Sequence, residues 1–365
     1  MKKLFYFAAA AVALAACAKN EVIPVNSGEN QEITFNVAPK TKADPDGHGH
    51  KEFGKGNIFA SWAYYLAPGT DWDDKSDDPK NEKYPKEYIS GATISYDKTD
   101  NVWKADNSYY WPKDGGKLTF FAYSLNKKDL DLISDNKSTS EFTCTCDNGV
   151  TGHIDLKLNP NTDFLVADIA KNQTSNVQTH FTNGVPTLFK HRLSSVVFAI
   201  KTGAKYADKK FQLTKITLRN LSHYGTYGQL PTEFFKPGTT KYDPEYTLTP
   251  QDITSYTEFN NVTHVKDNIF IPQTFADDAF IEVVYTITTT VGSGSVTENV
   301  TKTIKLNELF PTSYDTSEPP IAIGGGWEMG KRYTINLTFT LGEIHWDPAV
   351  LEWADVTPAA GQDVA

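Results

Sequence analysis

Cys17 is the residue of this sequence whose surroundings most clearly specify a chemical reaction. Two alanines stand directly before it, and residues 4–14 form an almost wholly apolar stretch. Lys2 and Lys3 give the start of the chain a positive charge. A positive end, a short apolar core and small residues before a cleavage point form the pattern of a secretory signal.

Residues 14–17, Leu-Ala-Ala-Cys, resemble a bacterial lipobox. In that motif a thioether to diacylglycerol forms at the cysteine sulfur, and a peptidase then cuts ahead of the cysteine. The apolar stretch is too short to cross a bilayer, which takes roughly 20 residues as a helix. We therefore expect residues 1–16 to be a signal peptide, Cys17 to be lipidated and residues 17–30 to form a polar tether. Several acyl chains give stable anchoring because each buried CH₂ contributes about 0.8 kcal/mol.

Three other segments carry side chains that bind metals or phosphate in other proteins. Residues 46–50, Asp-Gly-His-Gly-His, have no further ligand nearby, which favours a linker. The acidic segment 71–78 departs from a calcium loop, since Lys75 takes a ligand position and Ser76 replaces the glycine. The glycines of residues 324–327 lack the strand-then-helix context of a phosphate loop. The sequence predicts no metal site, no cofactor and no catalytic residue.

Two further cysteines, Cys144 and Cys146, lie two residues apart in a segment that reads as a strand. Their side chains share one face of that strand, and a disulfide between them would be strained at this spacing. We expect both to be small buried or half-buried residues and the fold to be independent of disulfides.

The composition favours a solvent-exposed β protein and excludes one class of partner. The formal charge is −10 over 365 residues, and removing residues 1–16 takes away Lys2 and Lys3 and no acidic residue, which makes it −12. An acidic surface argues against a nucleic acid partner, because phosphate binding requires a basic face. Aromatic residues make up 13% of the chain, and together with many threonines they favour strands.

Short segments of alternating polarity recur along the chain, and none shows helical periodicity of sufficient length. The first is residues 33–37, in which Ile33, Phe35 and Val37 share one face. The pattern predicts an all-β fold of the β-sandwich class, with a boundary near residues 183–186. The other predicted strands are 58–66, 92–96, 118–123, 154–158, 164–169, 195–201, 211–218, 268–271, 281–288, 300–306 and 333–341.

Several segments resemble the fimbrillins of the Bacteroidales and follow the same order along nearly the whole chain after the signal. They are Tyr109-Tyr110-Trp111-Pro112 with Lys117 to Tyr123, Asp163 to Ala167, Phe189 to Ser194, Ile271-Pro272-Gln273, and Tyr333 to Leu341 with Ile344 to Asp347 and Trp353. The resemblance implies a type V pilus subunit with two tandem transthyretin-like β-sandwich domains, here residues 31–185 and 186–365. It also implies transport to the outer membrane as a lipoprotein and assembly with other subunits at the cell surface.

In many members of that family a protease removes the first strand, and a strand of a neighbouring subunit fills the vacated groove. Residues 33–37 have the form of such a removable cover, because they alternate and precede a hydrophilic loop, residues 39–47. An uncovered groove would expose unpaired backbone groups, and a partner strand would satisfy them. A position at the centre of a sheet, with strands on both sides, would speak against this hypothesis.

The sequence is compatible with two alternatives for the processing of this strand. Family members cut by an arginine-specific protease carry arginine in this loop, whereas this chain has only Arg192, Arg219 and Arg332. Lys40 and Lys42 are the nearest basic residues and are the candidate processing sites. Alternatively the strand is permanent, and the protein is an anchor subunit or a lipid-anchored surface protein that binds a glycan or a host protein without polymerising. The C-terminal segment 344–365 is either a donor strand or a frayed terminus.

Overall fold

The computed structural model describes thirteen stretches of the chain. These are residues 31–37, 55–76, 78–124, 153–157, 164–175, 184–222, 224–228, 235–237, 241–243, 245–258, 260–261, 269–310 and 325–352.

Ten strands precede residue 192 in these stretches. In chain order they are β1 (Thr34–Val37), β2 (Ile58–Leu66), β3 (Lys86–Asp97), β4 (Val102–Ala105), β5 (Lys117–Tyr123), β6 (His153–Lys157), β7 (Leu165–Ala167), β8 (Ala170–Gln173), β9 (Val185–Thr187) and β10 (Phe189–His191). A 3₁₀-helix, Trp72–Asp74, lies between β2 and β3.

Fifteen strands follow in the described residues of the second half, several of them only two or three residues long. They are β11 (Ser194–Thr202), β12 (Lys209–Arg219), β13 (Leu221–Ser222), β14 (Tyr224–Gly228), β15 (Phe235–Pro237), β16 (Lys241–Tyr242), β17 (Glu245–Asp252), β18 (Asn260–Asn261), β19 (Ile269–Phe270), β20 (Gln273–Thr274), β21 (Phe280–Val291), β22 (Gly294–Lys305), β23 (Gly326–Trp327), β24 (Lys331–Phe339) and β25 (Ile344–Glu352). One helical turn, α1 (Leu306–Leu309), joins β22 to the following segment.

The strands of the first half, except β6, form one nine-stranded sheet. Its hydrogen-bonded order is β10-β7-β5-β2-β3-β4-β1-β9, and β8 also pairs with β5. The two ends of this order, β9 and β10, are consecutive in the chain with only Leu188 between them. The sheet therefore curls back on itself around an apolar core. The aromatic members of that core, here called the first core, are Phe35, Phe59, Tyr65, Trp103, Trp111, Phe120 and Phe189.

Strand β2 is buried on both faces, which accounts for its nearly continuous apolar sequence. Phe59 and Tyr65 point into the first core, whereas Trp62 and Tyr64 point to the opposite side of the sheet. There they join a second cluster that includes residues of the chain's second half, among them Leu193, Tyr227, Ile269 and Ile271. The two halves thus share one apolar layer on the back of the nine-stranded sheet.

Two sheets of the second half pack face to face. One has the order β18-β11-β24-β25, with β19 also on β11, and the other has the order β17-β12-β21-β22. Phe198 and Ile335 from the first of these sheets and Ile216 and Val283 from the second belong to one buried cluster. This arrangement is a sandwich, in which alternate side chains of both sheets fill the space between them.

The prediction of an all-β, sandwich-class fold is confirmed. Strand β24 shows the predicted alternation, with Tyr333, Ile335, Leu337 and Phe339 all buried. Leu341 was expected to continue this face, but the strand ends at Phe339 and Leu341 is 51% exposed. Strands β9 and β10 belong to the first sheet although they lie close to the predicted boundary, and β14 of the second half pairs with β6 of the first. The division into domains 31–185 and 186–365 stays a prediction.

The Pro-Gln turn after β19 depends on a buried amide. Gln273 accepts a hydrogen bond from the Ser222 N–H at 2.7 Å and donates to the carbonyl oxygens of Ser222 and Ile271, each at 3.0 Å. Its side chain therefore pairs with β13 much as another strand would. Gln273 is only 6% exposed, so no water replaces these partners without rearrangement.

We predict that Gln273→Ala lowers the free energy of unfolding by about 2–4 kcal/mol, because it removes the partner of buried backbone groups. Urea unfolding measures the change. Gln212→Ala is the matched control, because its amide donates to Asp252 at 2.6 Å in a more exposed position, and it should cost less than about 0.5 kcal/mol. Equal costs for the two variants would contradict the role assigned to Gln273.

Candidate functional site

The structure describes one of the sequence-predicted sites, the candidate exchanged strand, and leaves the others outside the described residues. Ile33, Phe35 and Val37 all lie in the described stretch 31–37. The lipidation site Cys17 and the candidate processing sites Lys40 and Lys42 lie outside the described residues. So do the histidines of residues 46–50, the cysteine pair of residues 144–146 and the last residues of the chain, 353–365.

The inner face of residues 31–37 is an integral part of the first core. Ile33, Phe35 and Val37 are 2%, 3% and 8% exposed. The ring of Phe35 makes edge-to-face contacts with Phe59 of β2, at a centroid distance of 5.6 Å, and with Phe120 of β5, at 5.8 Å. Since β2 and β5 are central strands of the sheet, Phe35 reaches across the core to the opposite wall.

One edge of residues 31–37 is paired by β4 and by the segment before β5. Phe35 is opposite Trp103 in an antiparallel ladder with β4. Closer to the start of the chain, the Ile33 N–H donates to the Tyr109 carbonyl oxygen at 2.8 Å, and the Trp111 N–H donates to the Gln31 carbonyl oxygen at 3.0 Å. The Tyr-Tyr-Trp-Pro motif therefore supplies backbone partners for the first strand, a role its sequence did not reveal.

The other edge of β1 is paired in parallel by β9. Phe35, Asn36 and Val37 are opposite Val185, Pro186 and Thr187. Among the described residues β9 has no other strand partner. Residues 183–186, Asn-Gly-Val-Pro, were interpreted as a boundary between the halves. Their pairing with a strand about 150 residues earlier in the chain was therefore missed. Local pattern carries no signal for such a distant parallel pair.

Gly184 brings β9 into close approach with β1. Its φ is +133°, a conformation that favours glycine, and a Cβ at this position would lie 2.8 Å from the carbonyl oxygen of Thr34. The same Cβ would lie 3.0 Å from the carbonyl carbon of Phe35. We refer to the space that residues 31–37 occupy, between β4 with residues 109–111 on one side and β9 on the other, as the β1 slot.

The first strand has a strand neighbour on each side. β1 lies between two strands, the arrangement that was expected to speak against exchange. Its position is nevertheless one strand from the end of the order, and the outer neighbour β9 contributes only three residues. The segment thus fills a narrow slot near the end of the sheet instead of shielding an open edge.

Polar groups around the slot hold its walls in place. The Tyr88 hydroxyl donates to the carbonyl oxygen of Tyr110, and burial together with the nearby Asp114 carboxylate raises the pKa of Tyr88. On β4, Lys104 contacts the carboxylate of Asp97 at 2.6 Å. The hydrogen bond from Lys104, together with hydrogen bonds from the backbone N–H groups of Thr99 and Asp100, lowers the pKa of Asp97 to about 2. The contacts of Tyr88 and of Lys104 with Asp97 therefore connect neighbouring parts of the slot wall to one another.

Three other residues from segments discussed in the sequence analysis contribute to packing or to close approach of the backbone. Trp72, within the acidic segment 71–78, is 3% exposed and packs on Tyr64 and Phe121, which leaves no exposed ring for stacking on a sugar. Gly326 lies in β23 opposite Thr274, and its missing Cβ leaves room for the backbone of the Pro-Gln turn. His191, expected to be a structural residue, is buried in β10.

The described residues show no clustering of metal-ligating side chains. Within them no group of three or more His, Cys, Asp or Glu side chains is arranged to hold a metal ion. No aspartate or glutamate is buried among the residues whose exposure the structure gives. No helix in the described part of the chain is long and apolar enough to cross a membrane.

Comparison with solved structures finds a similar fold in one bacterial fimbrial protein and weaker similarity in others. A fimbrial protein from Bacteroides vulgatus has a TM-score of 0.63 at 15% identity, and the match covers 89% of this chain and 100% of that one. A protein from Parabacteroides distasonis, provisionally described as a cell adhesion protein, has a TM-score of 0.49 at 9% identity, and the match covers 91% of this chain and 98% of that one. The tip fimbrial protein Mfa3 from Porphyromonas gingivalis, with a C-terminal truncation, has a TM-score of 0.35 at 9% identity, over 88% and 100%.

A search of curated proteins found no match to this chain. The sequence model of one family, described as fimbrillin-like, matches residues 70–353, well over half of the 365 residues. The likeness to the Bacteroides vulgatus protein supports the same fold independently. The chain therefore belongs to the fimbrillin-like family.

Proposed function

We propose that this protein is a structural subunit of a cell-surface fimbria and that it assembles by exchange of the strand in the β1 slot. Membership of the fimbrillin-like family supports a fimbrial or adhesion subunit. The single observation that carries the exchange mechanism is the β1 slot itself. A short N-terminal segment supplies both backbone pairing and core side chains there, at a position one strand from the end of the sheet.

An empty slot would be unstable, which gives a neighbour's strand its driving force. Loss of residues 31–37 would expose the rings of Phe59, Phe120 and Trp111 to water. Each large apolar side chain that refills the slot contributes about 1.5–3 kcal/mol by burial. The backbone pairs on both edges add roughly 0.5–1.5 kcal/mol per hydrogen bond. A joint of this kind is noncovalent and slow to release.

The connection of β1 to the rest of the sheet suits proteolytic release. Residues 38–57 separate β1 from β2 and include the hydrophilic segment 39–47. A cut at Lys40 or Lys42 would leave residues 31–37 attached through pairing and packing alone. The ladder that β1 shares with β4 contains only two residue pairs, compared with twelve between β21 and β22.

The geometry of the slot sets the requirements for a replacement strand. A strand that keeps both ladders of β1 runs antiparallel to β4 and parallel to β9. It carries apolar side chains at three alternate positions to replace Ile33, Phe35 and Val37. Residues 344–352 pair with β24, so a donor strand drawn from them must first leave that ladder. Residues 353–365, outside the described residues, are the alternative donor.

In this proposal the lipid at Cys17 brings the precursor to the outer membrane, and removal of β1 detaches the subunit from that anchor. The two events are linked because Cys17 and β1 lie on the same side of Lys40 in the chain. The role is structural and non-enzymatic, with other fimbrial subunits as partners.

A second candidate function is a lipid-anchored surface protein that binds a glycan or a host protein and does not polymerise. Two observations favour it over exchange. β1 has strands on both sides, and the loop after it contains no arginine. In that case β1 is permanent and Cys17 stays attached to the folded protein.

We expect protein from assembled fimbriae to begin at Thr41 or Ala43, after a cut at the carboxyl side of Lys40 or Lys42. Mass spectrometry of the mature N-terminus measures this. A Lys40→Gln/Lys42→Gln variant should remain uncut, and Lys51→Gln, outside the hydrophilic segment, is the control. An acylated Cys17 on all of the surface protein would instead support the non-polymerising alternative.

Gly184→Ala should loosen β1 specifically, because the new methyl group collides with the backbone of Thr34 and Phe35. We predict that the amide of Ile33 exchanges hydrogen at least about tenfold faster, as expected for a lower local opening free energy. Gly115→Ala is the matched control, since its φ is +83° but nothing lies within 4 Å of the added Cβ. Equal exchange rates in the two variants would show that β9 does not hold β1.

Phe35→Lys should greatly reduce the yield of folded subunit, because it places a charge between Phe59 and Phe120 without a partner. Asn36→Lys, on the half-buried outer face of the same strand, should leave the yield nearly unchanged. Soluble yield and the thermal unfolding midpoint measure both effects. Normal folding of the Phe35→Lys protein would mean that β1 does not complete the core.

A further inference from the structure

Strand β22 is a long edge strand with no partner on its outer side among the described residues. It ends the sheet order β17-β12-β21-β22 and extends over twelve residues, Gly294–Lys305. Exposed edges of this length are templates for pairing with another strand. Val296, near the start of β22, is 64% exposed, and Val291 at the end of β21 is 63% exposed.

The hairpin geometry determines which backbone groups of β22 point outward. Val291 is opposite Gly294, and Gly292 and Ser293 form the two-residue turn between them, with φ of Gly292 at +59°. The residue pair that flanks such a turn exchanges hydrogen bonds, and hydrogen-bonded and non-hydrogen-bonded pairs then alternate. The even-numbered residues of β22 therefore direct their N–H and C=O groups toward β21. The odd-numbered residues direct theirs to the open edge.

The even-numbered side chains of β22 form a row of alternating apolar and charged groups. Val300 and Ile304 pack partly against the core of the second half. Between and before them stand Lys302, Glu298 and the exposed Val296, all on the same face of the strand. The row reads apolar, negative, apolar, positive, apolar, so a two-fold rotation about its centre exchanges the negative and the positive residue.

We propose that two copies of this protein associate by antiparallel pairing of their β22 edges about a two-fold axis at Val300. Glu298 of each copy then lies opposite Lys302 of the partner subunit, and Val296 lies opposite Ile304 of the partner subunit. Opposite charges and apolar pairs directly across an antiparallel ladder are stabilising. The two four-stranded sheets become one continuous sheet through a self-complementary interface.

The backbone permits this register. Val300 directs its own polar groups toward β21, so the pair of Val300 residues at the axis is a non-hydrogen-bonded pair. Asn299 and Thr301, whose groups face the open edge, form the hydrogen-bonded pairs on either side of it. On the opposite face of the sheet, Thr297 meets Thr303 of the partner subunit, which is a favourable cross-strand combination.

Neighbouring registers lack this complementarity. Moving the axis to residue 299 places Glu298 opposite Val300 and Lys302 opposite Val296. Moving it to residue 301 places Lys302 opposite Val300 and Glu298 opposite Ile304. The charge pattern therefore selects one register. In the single copy the Lys302 ammonium donates to the Gly342 carbonyl oxygen at 3.0 Å, and with three donors it keeps this bond while facing a carboxylate.

This association is independent of strand exchange. The β22 edge belongs to the sandwich of the second half, whereas the β1 slot lies in the nine-stranded sheet. Pairing at β22 thus joins two copies side by side while β1 remains in place.

Sedimentation equilibrium of the full chain tests the proposal. We expect a monomer–dimer equilibrium. Glu298→Lys should raise the dissociation constant of the dimer by roughly tenfold or more, because the new lysine of each copy then faces Lys302 of the partner subunit, and this repulsion occurs twice in the interface. The double variant Glu298→Lys/Lys302→Glu restores opposite charges in the same register and should return the dissociation constant to within about threefold of the parent. Glu308→Lys, which makes the same charge change at an exposed position of α1, is the control.

A second variant tests the backbone pairing. Thr301→Pro removes an N–H that faces the open edge and leaves the ladder with β21 intact, so it should abolish the dimer without unfolding the protein. The thermal unfolding midpoint and circular dichroism check that each variant is folded. A protein that stays monomeric at all concentrations, or a dimer that neither Glu298→Lys nor Thr301→Pro weakens, would overturn the proposal.

Discussion

The architecture of the first half depends on the requirement that buried backbone groups be paired. Residues 31–37 satisfy this requirement on two sides at once, toward β4 with residues 109–111 and toward β9. They also bring Phe35 into contact with the two central strands. Because both functions reside in one short segment, the core is complete only when some strand occupies that position.

The sequence predicted those features that depend on local pattern. The limits of β2 were predicted to the residue, and β5 and β11 within a few residues, because their apolar runs are nearly continuous. Strands β21 and β24 were predicted within a few residues because their apolar side chains recur every second position. The inner face of β1 was also predicted, because Ile33, Phe35 and Val37 alternate with polar residues.

Features that depend on distant partners were not predictable in this way. β9 is a three-residue strand containing Pro186, and only its parallel pairing with β1 defines it. Trp72 stands among acidic residues, so its burial against Phe121 depends on how the loop packs over the sheet. Gln273 was recognised as part of a recurring turn, but its pairing with Ser222 requires two segments about 50 residues apart to meet. Such contacts come from topology, which local composition does not encode.

Noncovalent contacts join the two halves of the chain in addition to the chain itself. Trp62 and Tyr123 of the nine-stranded sheet share an apolar layer with Ile269 and Ile271 of the second half. Strand β14 pairs with β6 across the same division. A shared apolar layer of this kind limits independent movement of the halves.

The attachment of β9 has a mechanical consequence. In the described residues β1 is the only strand that pairs with β9, and the same stretch of chain runs through Leu188 and β10 into β11 at the start of the second half. The strand that lies beside β9 therefore also provides one of the points at which this crossing is attached to the nine-stranded sheet. A pulling load on that crossing would act on the parallel backbone pairs beside Phe35. Under the exchange proposed above, the segment inserted beside β9 would therefore govern how stiff each link of the assembly is.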